Sequence, residues 1–149
     1  MLPSLHLTKL LVNQPSITDS ADETSYAEFL GGVMASQPAF AGLADGIRAM
    51  RTLRDDHERY NLFGLARKSG RKTIALCGHY DVVSVENYGA LQALAFDTEK
   101  LLPALISQLE KEPQTAEVAL ALKDLKSGDY LPGRGALDMK SGLAIGLDV

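Results

Sequence analysis

Apolar positions in the first third of the chain recur at helical spacing. Leu5, Leu7, Leu10, Leu11 and Val12 cluster as an early helix would, and Asn13, Gln14, Pro15 and Ser16 then break the pattern. Ser20 and Glu23 stand at capping-box spacing, each able to satisfy a free backbone donor of the other's turn. Tyr26, Phe29, Leu30 and Val33 line one face of the helix that this box opens. Between residues 37 and 58 the helix-compatible pattern is interrupted by Pro38, Gly42 and Gly46, and the spacing selects no element. The period then changes. Residues 60–66 and 72–77 are short apolar runs on either side of a polar turn, Lys68 to Arg71, which predicts a strand-turn-strand unit. The second run is apolar without alternation, so it predicts a central strand buried on both faces. It ends at Gly78, His79, Tyr80 and Asp81, where sheets covered by helices place their chemistry.

Asp97 is a good cap for a helix over residues 98–109, and residues 115–125 repeat the leucine spacing, as two surface helices would. A glycine-rich loop, residues 127–135, leads through Ala136, Leu137 and Asp138 into an apolar final helix. Apolar strands alternating with helices predict an α/β fold, a three-layer sandwich with a mainly parallel but mixed sheet. The final helix has no cap, no basic last turn and no glycine stop signal. Residues 1–149 are therefore expected to be cut off inside an element, as the amino-terminal portion of a larger domain.

Charge and composition narrow the partners. Fifteen Lys and Arg against nineteen Asp and Glu give a net charge of −4, so there is no basic field to gather nucleic acid or anionic lipid. Apolar residues never run together long enough to cross a bilayer, and no leader pattern opens the chain. The single cysteine, Cys77, cannot form an internal disulfide. A reducing compartment, the cytoplasm, is the expectation.

Two segments carry chemistry. In the first, His79 and Asp81 are two apart at a strand end and can be neighbours; a carboxylate on one ring nitrogen makes the other a better metal ligand. Taken alone, the dipeptide favours a strand-end histidine bonded to an aspartate with no metal. The second, Gly133 to Gly142, places Asp138 between a glycine loop and a helix start, from which its two oxygens can bridge two cations. Equally, Asp138 can be an N-cap. Phosphate binding fails on the residues: Met139 stands where a P-loop needs glycine before Lys140 and Ser141, and Asp138 takes the third glycine position of a dinucleotide fingerprint.

Together the segments resemble the signature pair of the dizinc metallopeptidase family that contains aminoacylase, carboxypeptidase G, acetylornithine deacetylase and succinyl-diaminopimelate desuccinylase. The Gly-His-x-Asp-x-Val stretch falls at residues 78–83, and Gly-Arg-Gly-x-x-Asp-x-Lys-x-Gly at 133–142. Leu11 and Val12 with residues 15–18 are similar to the family's opening helix and turn. The 59 positions from His79 to Asp138 exceed the spacing of compact members and resemble the arginine-utilisation branch of the RocB type. The resemblance implies that His79 ligates one zinc, that Asp81 orients His79 for catalysis, and that Asp138 bridges two zinc ions, with cobalt or manganese as alternatives. Arg134 and Lys140 have no metal role in the pattern. It also implies a hydrolase of amide bonds in small peptides or N-acyl amino acids, a homodimer in its complete form. The family's general-base glutamate and its remaining ligands would follow Val149, so residues 1–149 alone are expected to be inactive. The competing expectation is a non-catalytic α/β binding or assembly module of the same ancestry.

Overall fold

A computed structural model describes residues 4–41, 46–66 and 69–148. Helix α1, Ser4–Asn13, buries Leu7, Leu11 and Val12, and helix α2, Ala21–Ala35, buries Tyr26, Ala27, Leu30, Val33 and Met34. The cap of α2 is close to the expected box. The Ser20 hydroxyl accepts from the Glu23 amide at 3.4 Å, while the Glu23 carboxylate reaches one residue further back and accepts from the Asp19 amide at 2.6 Å.

The two strands pair differently from the expectation. Strand β2, Tyr60–Gly64, pairs antiparallel with β1, Ile47–Arg51, a segment whose element the sequence left open. The expected partner, residues 72–77, is no strand. Its Ile74 is 86% and its Leu76 68% exposed, so it is not a run buried on both faces either. The physical reason is the absence of a partner strand: among the described residues none lies alongside it to complete a ladder, and the approach of Leu76 to Gly146 leaves the leucine mostly exposed. Of the expected turn between the runs, Lys68 lies outside the described residues, as does Gly42. Arg59 pins the β1–β2 connection to the start of α2 by ion pairs with Asp19 and Glu23, and pairs with Asp55 within the connection. The hairpin packs on α2 through Ile47 and Leu62, and a Cβ at Gly64 would collide with Met34 and Phe40.

Helix α3, Thr98–Leu109, starts where Asp97 caps it, accepting from the Lys100 amide at 2.9 Å. Helix α4, Ala116–Ser127, starts at Thr115 and ends in Gly128 at φ 86°. Neither buries much beyond Thr98 and Leu101, in keeping with surface helices. Helix α5, Ser141–Asp148, lies against α1 and adds Leu143, Ala144 and Leu147 to the core. The architecture is thus mixed helix and strand with a two-stranded antiparallel sheet; no three-layer sandwich with a parallel sheet is formed among the described residues. The parallel contact that is present is a single bridge, Ile17 to Val82.

Candidate functional site

The bridge fixes the first motif. The Val82 amide donates to the Ser16 carbonyl at 2.9 Å, the Thr18 amide donates to the Val82 carbonyl at 2.9 Å, and the Ser16 hydroxyl donates to the Tyr80 carbonyl at 2.6 Å. The turn after α1 therefore holds residues 80–82 from one side. The second motif is held by its glycines. Gly135 has φ 77°, a left-handed backbone that glycine adopts without penalty, and a Cβ there would also collide with Val82. Arg134 ties the loop to the segment before α3: its amide donates to the Ala95 carbonyl at 2.8 Å, and its guanidinium bonds Asn87 and lies 4.9 Å from the centre of the Tyr88 ring.

These constraints bring the two motifs into one cleft of about 300 Å³, lined by His79, Asp81, Val82, Val83 and residues 133–138. His79 and Asp138, 59 positions apart in sequence, meet there with Nε2 to Oδ1 at 3.0 Å. On the other side of the ring, His79 Nδ1 lies 3.0 Å from the Asp81 carbonyl oxygen and 3.3 Å from its carboxylate. Asp81 is steadied in turn by the Thr18 hydroxyl, which donates to it at 2.9 Å. Asp138 is not the N-cap of α5; its carboxylate projects into the cleft, 84% exposed.

Both ring nitrogens of His79 thus face oxygen acceptors. A neutral imidazole has a single N–H, so it can satisfy one of them. The arrangement is complete in two ways: the ring is doubly protonated, or a cation lies between Nε2 and the carboxylate. Burial alone draws the ring's pKa down. The bonds to the Asp81 carbonyl and to Asp138, with the charges of both carboxylates, outweigh it and hold the pKa above the ordinary 6.5. A metal fits the same electrostatics. With zinc–nitrogen and zinc–oxygen bonds of about 2.1 Å, adjacent ligand atoms of a tetrahedral site are about 3.4 Å apart, within a few tenths of the spacing here. The fit is to part of a site. Among the described residues no three His, Cys, Asp or Glu side chains are grouped to hold an ion, and a closed zinc site needs about four ligands.

One residue of this region was not singled out for any role by the sequence. Lys140 is fully buried, and its ammonium donates to the Gln14 carbonyl at 2.7 Å. A lysine within a glycine-rich motif reads as a solvated charge, and only the packing reveals otherwise.

The comparisons with known proteins agree with the reach of these motifs. The chain is 34% identical over 145 residues to the uncharacterized protein YqjN of Bacillus subtilis (strain 168), an alignment covering 97% of the chain and 25% of that protein. It is 32% identical over 143 residues to protein RocB of the same organism, covering 95% of the chain and 24% of that protein. The chain thus spans about a quarter of the length of these curated relatives. No family model matches it, and no solved structure does.

Proposed function

We propose that this chain contributes the first metal-binding half of a zinc-dependent hydrolase that cleaves amide bonds in peptides or N-acyl amino acids. The observation that carries the reading is the imidazole of His79 with both nitrogens facing oxygens, one of them the exposed carboxylate of Asp138. In this reading His79 would hold a zinc ion, Asp81 would fix the tautomer and orientation of its ring, and Asp138 would serve as the ligand common to both ions. Zinc, when bound, supplies the Lewis acidity that amide hydrolysis needs near neutral pH. The chain's own part is to aim the ring, keep a carboxylate in reach of both ions, and shape the cleft wall with the glycine loop. The resemblance to the arginine-utilisation branch supports an arginine-related role, the single cysteine supports a reducing compartment such as the cytoplasm, and the motif pair supports a homodimeric enzyme whose complete catalytic domain is a three-layer sandwich. In that sandwich residues 72–77 would be an inner strand of a mainly parallel sheet.

Metal analysis of the natural gene product tests this. About two zinc ions per chain are expected, with loss of metal in His79→Ala and in Asp138→Ala. A metal-free product that keeps its fold would remove the enzyme reading and leave a binding or assembly module. Residues 1–149 alone are expected to bind zinc weakly and to release no amine from N-acyl amino acids, because two ligands are too few. Zinc-dependent turnover by this chain alone would contradict the ligand count.

A further inference from the structure

Lys140 is a charge with an unusual set of partners. Besides the Gln14 carbonyl, its ammonium lies 4.4 Å from the centre of the Tyr26 ring and 5.6 Å from that of Phe96, and it makes no ion pair among the described residues. Aromatic faces attract a cation through their quadrupole, most strongly where water is excluded. The same Tyr26 ring stacks on Tyr80 with centroids 5.2 Å apart and planes 18° from parallel. Tyr26 is itself immobilised: it is fully buried, and its hydroxyl donates to the Leu11 carbonyl at 2.9 Å.

Tyr80 lies between His79 and Asp81, and Lys140 lies two residues after Asp138. One fixed ring therefore touches both arms of the cleft. We propose that Lys140 and Tyr80, seated together on Tyr26, are positioning residues that set the segment bearing His79 in register with the segment bearing Asp138. The choice of partners matters for the site. A lysine this close to Asp138 would ordinarily pair with a carboxylate and cancel its charge. Held instead by two rings and a carbonyl, it anchors the loop and does not itself pair with Asp81 or Asp138, which stay open to a cation in the cleft. The inference deepens the metal-site reading, but its test needs no metal. Absence of metal from the natural gene product with an intact register would sink only that reading, and a register indifferent to Lys140 and Tyr80 would sink only this one.

The imidazole ¹⁵N resonances of His79 report the bond from Nε2 to Asp138, with Asp138→Asn as the reference for its loss, all recorded on residues 1–149 at one pH. Lys140→Met is expected to move the Nε2 resonance to the Asp138→Asn position while amide resonances of α3 and α4 stay in place, and Lys140→Arg is expected to restore it. Should Lys140→Met fail to fold, the Tyr80 pair decides. Tyr80→Phe keeps the stack and is expected to leave the resonance unchanged; Tyr80→Leu removes the stack and is expected to move it. An unchanged Nε2 resonance in folded Lys140→Met, or in Tyr80→Leu, overturns the proposal.

Discussion

The helical core and residues 72–77 are equally apolar in sequence and end in opposite states. Leu7, Leu11, Tyr26 and Ala144 are fully buried where α1, α2 and α5 meet, whereas Ile74 and Leu76 stand in solvent. The difference lies in how each segment closes its backbone hydrogen bonds. A helix satisfies its amides within itself and needs neighbours only for one face; a strand needs another strand before any face can be covered. An apolar run is thus sufficient evidence for burial in the first case and insufficient in the second.

The comparison breaks most visibly in the core. Leu11→Ala removes a fully buried side chain from the core where α1, α2 and α5 meet, and a loss of about 2–5 kcal/mol in urea unfolding is expected. A loss below about 1 kcal/mol would mean that the helices are no better packed than the exposed run.

A smaller effect comes from the buried charge in the same core. Desolvation lowers the Lys140 pKa from 10.5 to about 7, so between those values the folded chain binds fewer protons than the unfolded one. Stability is then fully present above 10.5, falls as pH drops through the window, and levels off below about 7. The slope is at most about 1.4 kcal/mol per pH unit for one proton. His79 acts in the opposite sense: its raised pKa gives stability that is present below the ordinary 6.5 and is lost as pH climbs above it. Tyr26, raised by burial, gives stability that is lost only at pH above the ordinary tyrosine value of 10. Unfolding measured between about pH 8 and 9.5 lies below the tyrosine range, and a rise in stability with pH there carries the sign of Lys140 and not that of His79. A rise in stability across that interval that vanishes in Lys140→Met is expected, and a flat profile would show that the rings and the Gln14 carbonyl hold the charge at no cost.

What the sequence made legible follows the same division. Ser20 and Asp97 marked two helix starts because a cap is a local bond between a side chain and an amide three residues on, and the cap at Thr115 is of the same kind. The partner of β2 was not legible, since Ile47–Arg51 carries too little alternation to compete with the stronger apolar run at 72–77. His79, Asp81 and Asp138 were legible as a spaced set of chemically able residues, and the fold brings them together. Lys140 was hidden because its setting is made by Gln14, Tyr26 and Phe96, residues far from it in sequence.

The smallest expected effect is the one that sharpens the comparison furthest. In residues 1–149, Ile74→Ser with Leu76→Ser should shift the unfolding free energy by no more than about 0.5 kcal/mol, because the side chains removed touch water already. Their removal should also lower self-association in light scattering, since an exposed run of β-favouring apolar residues is a template for intermolecular pairing. If residues 72–77 form an inner strand of the complete natural product, the same pair of substitutions there should cost several kcal/mol, because two buried apolar side chains are then replaced by hydroxyls. A large loss in residues 1–149 would show that the run is covered in this chain after all. A negligible loss in both contexts would instead show that it is never an inner strand, and the three-layer reading would fall with it.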